Sequence, residues 1–171
     1  MLYEFKGIKP DVHEAVYMAD GVRIIGDVKI EQDCSIWYNS VLRGDLAAIR
    51  IGQRTNIQDG TIAHVNLNQP LLIGEDVSVG HGAIIHGCTI GKGALIGMGA
   101  IILSGAVIGE YALIGAGSIV TENKIIPPYT LSLGSPAKVV RELTAADLNR
   151  MKLTTDSYVQ KGKEYIDNEM R

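Results

Sequence analysis

The stretch Gly93 to Gly109, GALIGMGAIILSGAVIG, is uncharged, almost long enough to cross a bilayer, and carries Gly-xxx-Gly spacings. Its periodicity decides what it is. Aliphatic residues recur at Ile90, Ile96, Ile102, Ile108, Ile114 and Val120, every sixth position. Small residues follow at Ala94, Ala100, Ala106, Ala112 and Ser118, and glycine comes directly after Ile90, Ile96, Ile108 and Ile114. Six is not the period of an amphipathic helix, so the membrane-helix reading fails and the run is a repeat.

The unit recurs upstream in shifted registers: Ile30, Ile36, Leu42; Ile51, Ile57, Ala63; Ile73, Val79, Ile85. A hexapeptide with one inward aliphatic, one small residue and frequent glycine predicts a mainly β fold, a parallel β-helix with three short strands per triangular coil. Each shift of register marks residues inserted or deleted at a corner. This pattern resembles the left-handed parallel β-helix of hexapeptide-repeat proteins, an exception to the usual right-handed crossover. Glycine clusters such as Gly91-Lys-Gly93 belong to the repeat and indicate no nucleotide site.

Beyond the repeats, Pro127-Pro128 and Gly134-Ser135-Pro136 turn the chain. Thr144 to Asp147 then reads as a capping box, opening an amphipathic helix with Leu148, Met151, Tyr158 and Ile166 as its apolar members. One domain is expected over 1–171: a lead-in over about 1–20 that covers the first coil, the β-helix over 21–140 and a C-terminal α-helix over 144–168.

Sixteen Lys+Arg against nineteen Asp+Glu give a net charge of −3, which offers no basic surface to nucleic acid or to an anionic membrane. The N-terminal segment has no basic-then-apolar leader, so a cytoplasmic location is expected, with Cys34 and Cys88 reduced.

Three of the four histidines fall in the repeats, and His13 lies outside them. His64 follows Ala63 and His86 follows Ile85, so both take the second place of their unit. Three units plus four inserted residues, in VNLNQP, separate them, which is one full coil. They should stand one above the other, about one strand spacing (~4.8 Å) apart. Counting back a further coil, with three residues inserted around 47–49, places Arg43 beneath them. His81 belongs to the preceding unit and should sit at a neighbouring corner. Three prisms associated about a parallel axis would bring His81 of one chain to His64 and His86 of the next, a homotrimer with a three-histidine site at each interface. Three neutral imidazoles leave one position of a tetrahedral Zn2+ open, the layout of a catalytic site, although Fe2+, Co2+ or Ni2+ would accept the same ligands.

The ordered motifs NSVLRGDLAAIRIG, RTNIQDGTIAH and VGHGAIIHGC resemble those of the gamma-class carbonic anhydrase-like family over about residues 10–165. The resemblance implies a lyase that hydrates carbon dioxide reversibly to bicarbonate by metal-bound hydroxide, with His64, His81 and His86 as ligands and His81 given across the trimer interface. It implies that Gln58 and Asn56 stand beside the metal and orient the reactants, and that Tyr158 from the helix comes near it. It also implies an interface role for Arg43, with Asp45 and Asp59 as its partners. The founding type of the family carries a glutamate soon after its Arg-Gly-Asp and another in an acidic loop after its first metal histidine. Here Leu46 takes the first place, and no acid occurs in VNLNQPLLIG before Glu75. Other functions remain open on the same residues. They are a hexapeptide acyltransferase using acyl-CoA with one histidine as base, a metal-dependent thioesterase or other hydrolase, and a non-catalytic assembly protein with a structural metal.

Overall fold

The computed structural model describes residues 1–169 of the chain. It is a β-helix of stacked coils followed by one helix, Ala145–Glu169. Parallel pairing stacks inward residues into three ladders: Ile24, Leu42, Ala63, Ile85, Ile102 and Val120 on the first face; Ile30, Ile51, Ile73, Ile90, Ile108 and Ile126 on the second; Ile36, Ile57, Val79, Ile96 and Ile114 on the third. These side chains form one core and are essentially inaccessible to solvent. Burying each is worth about 1.5–3 kcal/mol relative to exposure, which is why a core almost free of aromatic residues suffices. Among the described residues, no helix is long and apolar enough to cross a membrane.

Close stacking requires the glycines. A Cβ built on Gly97 would lie 2.5 Å from the Ala116 backbone nitrogen in the next coil. At Gly93 it would lie 2.4 Å from the Tyr111 ring, which fills that space and stacks on Tyr129.

Residues 1–20 supply a coil of their own. Leu2–Tyr3 and Asp11–Val12 pair with Arg23–Ile30, and Tyr17–Met18 pairs with Ser35–Ile36. At the other end Thr130–Gly134 and Ala137–Glu142 form an antiparallel hairpin that ends the third face.

The corners are unequal. Into the third face and out of it every step is one hexapeptide, as from Leu72 to Ser78 to Ile84 and, one coil on, from Thr89 to Leu95 to Ile101. Length varies only at the corner joining the first face to the second. The step from Ile101 to Val107 is one hexapeptide; that from Val41 to Arg50 is three residues longer, that from Ile62 to Leu72 four longer, and that from Ile84 to Thr89 one shorter. Near the start of the stack two long strands, Arg23–Ile30 and Val41–Ile51, run through this corner and join the two faces into one twelve-stranded sheet.

The helix starts as its sequence predicts. The Thr144 backbone N–H donates to Asp147 Oδ2 at 2.9 Å and the Asp147 N–H donates to Thr144 Oγ1 at 3.2 Å, a reciprocal cap. Met151 is buried, and the helix lies against the third face near Tyr17, Ser35 and Ser78. Both cysteines are buried free thiols, and burial pushes each pKa up to about 12.

Candidate metal centre

Strand register puts Arg43 opposite His64 and His64 opposite His86, in one column at the irregular corner. The two imidazoles meet edge to face, with ring centroids 5.0 Å apart and His64 Nδ1 3.1 Å from His86 Nε2. The outer nitrogen of each ring is also engaged. His64 Nε2 donates to Asp45 Oδ1 at 2.9 Å, and His86 Nδ1 lies 2.8 Å from Ser104 Oγ. Arg43 pairs with the other oxygen of Asp45. Burial works to raise the Asp45 carboxyl, but the hydrogen bonds from His64 and Arg43 outweigh it and hold the carboxyl below its ordinary range. Desolvation first, then its neighbours His64 and Arg43, hold His86 below the usual imidazole range.

His81 stands at a different corner, the one joining the third face to the first. Its Nδ1 lies 2.7 Å from Asp59 Oδ2, and its Nε2 faces the Tyr158 hydroxyl at 3.4 Å. Within the chain Asp59 lies against His81 and Arg43 against Asp45, because the corners that carry them border opposite edges of the first face. Tyr158 does two things at once. It packs edge-on against Trp37 and reaches His81, while burial and the nearby Asp59 charge raise its phenol further above the neutral range.

Gln58 lines the same groove as His81 and Tyr158. Asn56 is one step removed: buried beneath the helix, it donates to Ser78 at 2.8 Å and accepts from Gln58 Nε2 at 2.9 Å. Asn56 thus fixes Gln58, while Ser78 is tied to Thr155 of the helix at 3.2 Å. His13, outside the column, accepts the Ala15 N–H on its Nδ1.

The donor set suits a metal. Two Zn–N bonds at a tetrahedral angle set their nitrogens about 3.3 Å apart, close to the His64 to His86 separation. Each of the three rings has one nitrogen on a carboxylate or hydroxyl, the support that ligating imidazoles need. Among the described residues, no three His, Cys, Asp or Glu side chains of one chain converge to hold an ion.

Ser104 and its neighbour Asn66, which donates to Ser104 Oγ at 3.2 Å, escaped the sequence reading. Counting one coil on from His86 arrives at Leu103, and the bond reaches the next residue because the corner after His86 is one residue short. A polar residue within one place of that count was the available signal.

Comparisons with known proteins agree with this geometry. Residues 87–122 match the bacterial transferase hexapeptide (six repeats) family. The chain is 52% identical to a carbonic anhydrase of Geobacillus kaustophilus over 96% of its own length and 91% of the relative. It is 43% identical to the mitochondrial gamma carbonic anhydrase 2 of Arabidopsis thaliana, over 88% of this chain and 56% of that one. Among solved structures it matches a hexapeptide transferase family protein from Anaplasma phagocytophilum with a TM-score of 0.93 and 38% identity, covering 96% and 97% of the two chains. The six-residue period, the histidine column and these relatives together place the chain in the gamma-class carbonic anhydrase-like family of hexapeptide-repeat proteins.

Proposed function

We propose that the protein is a metal-dependent lyase that hydrates carbon dioxide reversibly to bicarbonate, working as a homotrimer with a Zn2+ site at each subunit interface. The observation that carries this reading is the split of the donor set across one apolar face. His64 and His86 border one edge of the first face and His81 the other. Between them the outward positions are Val41, Ile62, Ile84, Ile101 and Ile119, an aliphatic ladder in which Ile62 is 40% and Ile84 39% exposed. Three such faces turned toward a common axis bury the ladder and bring the edge of one chain to the opposite edge of the next. The carbonic anhydrase name of the relatives supports the same reaction.

In that arrangement His64 and His86 of one chain and the corresponding His81 of its neighbour would hold the metal, whose Lewis acidity would supply a water nucleophile at neutral pH. The chain's own groups do the rest. Asp45, Asp59 and Ser104 fix the rings. The Gln58 amide, anchored by Asn56, presents a donor and an acceptor beside His81 to orient the carbon dioxide and bicarbonate oxygens. Arg43, fixed by Asp45, places a cation below the histidine column, where a bicarbonate anion leaves. The aliphatic ladder excludes water. Protons leave without the two glutamates of the founding type: Leu46 is an exposed aliphatic on the strand Val41–Ile51, and VNLNQPLLIG carries no acid.

A second reading rests on the groove beside His81. It encloses about 620 Å³ and continues from Gln58 and Tyr158 along Leu95, Leu113 and Met98, far more space than carbon dioxide fills. It favours a metal-dependent hydrolase, such as a thioesterase, acting on a larger carbonyl. The deciding experiment is stopped-flow carbon dioxide hydration on metal-quantified protein, comparing zinc-loaded, anaerobically iron(II)-loaded and His64→Ala forms. Metal-dependent hydration that His64→Ala abolishes is expected; full metal occupancy without hydration moves the assignment to the hydrolase. His81→Ala is expected to lose metal at every interface, and metal retained at one per chain refutes the inter-subunit site.

A further inference from the structure

The hydrogen bonds at the irregular corner form one chain, and its Asp45 end fixes its direction. Asp45 pairs with Arg43 through its other oxygen and, as a carboxylate, only accepts, so His64 carries its proton on Nε2 and a lone pair on Nδ1. The 3.1 Å bond between the rings then requires His86 to donate from Nε2. His86 is left with a lone pair on Nδ1, which accepts the Ser104 hydroxyl at 2.8 Å. From the other side Asn66, whose amide nitrogen only donates, gives a proton to Ser104 Oγ. Every link runs one way, from Asn66 through Ser104, His86 and His64 to Asp45.

With the other nitrogen of each ring held by Asp45 or Ser104, a metal would take the same two nitrogens as the bond between the rings, His64 Nδ1 and His86 Nε2, so the two arrangements would exclude each other. His64 is already in the tautomer that ligation needs. His86 is not. To ligate, it gives its Nε2 proton to water and takes a proton from water on Nδ1, with no net change in charge. Its Nδ1–H then needs an acceptor.

We propose that Ser104 is the positioning residue that makes this exchange possible: its hydroxyl donates to His86 in the metal-free protein and turns to accept from His86 when a metal is held. The inference rests on the metal-centre reading above and extends it to a residue outside the ligand set. A hydroxyl serves both states because it has one proton and two lone pairs; with metal bound, the lone pairs take the His86 and Asn66 protons. A carboxylate could only accept, and alanine does neither. Ser104 is 7% exposed, so bulk water does not readily replace it.

The test is imidazole 15N NMR on chelator-treated wild-type protein, followed by zinc titration against a competing chelator for wild type, Ser104→Ala, Ser104→Thr and His64→Ala. His86 is expected to be protonated on Nε2 without metal and on Nδ1 at one zinc per chain. Ser104→Ala is expected to weaken zinc binding about 10–100-fold, and Ser104→Thr, which keeps the hydroxyl, to stay within a few-fold of wild type. Unchanged zinc affinity in Ser104→Ala, or His86 already protonated on Nδ1 in the metal-free protein, overturns the proposal. Zinc binding that depends on His64 but not on Ser104 sinks this inference alone. Wild-type protein that takes up no zinc sinks the reading beneath it.

Discussion

Two corners of the prism hold strictly to the hexapeptide, and the third does not. At the regular corners each coil repeats the last, so every inward aliphatic finds the same neighbour above and below, and stability accumulates coil by coil. At the irregular corner the chain gains three residues, then four, then loses one. Arg43, Asp45, His64, Asn66 and His86 all lie there, and Ser104 reaches in from the next coil. A solenoid that confines its departures to one edge leaves the other faces free to supply the folding energy. His81 shows the complementary case: a single imidazole can be carried on a regular corner, because Asp59 one coil away and Tyr158 of the helix are enough to hold it.

This contrast predicts a graded set of responses. Ile96→Ala, in the regular ladder, is expected to cost about 2–5 kcal/mol in denaturant unfolding while leaving metal stoichiometry of the folded protein intact. Gly97→Ala is expected to cost about 1–3 kcal/mol, since its Cβ meets backbone rather than a flexible side chain. Both losses should appear as a shifted midpoint with an unchanged slope. Deleting Asn66 to Gln69 at the irregular corner is expected to change stability by less than about 1 kcal/mol yet weaken zinc binding, because Asn66 goes with it; a collapse of the fold would break the contrast. The smallest effect is electrostatic and lies outside the coils. The Asp147 carboxyl is held well below its usual range by Arg141, then by the Thr144 backbone and hydroxyl. A depressed folded pKa contributes stability that is present above the unfolded value of about 3.9 and is lost as pH falls below it. Asp147→Asn should therefore flatten the dependence of melting temperature on pH on the acid side of pH 4 and leave the neutral side nearly flat, as differential scanning calorimetry can measure.

Much of this was legible before any coordinates. The six-residue period gives the ladders because a parallel coil must bury the same position each time round. The phase of His64 and His86 follows from counting whole coils, which cancels whatever the corners do in between. What depends on the path within a corner does not survive such counting. Ser104 bonds to His86 from one place beyond its counted position. Within the chain Asp59 meets His81 because they share an edge that spacing alone does not reveal. The first coil was also missed, although Val12 and Met18 continue the six-residue rhythm back from Ile24; Leu2 lies outside that rhythm, and its strand forms because the next coil offers a template.

The placement of His64 and His86 on one edge of a face and His81 on the other has a genetic consequence. In the proposed trimer a His64→Ala chain still offers an intact His81 edge, and a His81→Ala chain still offers the intact paired edge. Each variant alone assembles into rings with no complete centre. Unfolded together and refolded as a mixture, they form rings in which one junction joins the two undamaged edges, so two inactive proteins are expected to complement each other at one centre per mixed ring.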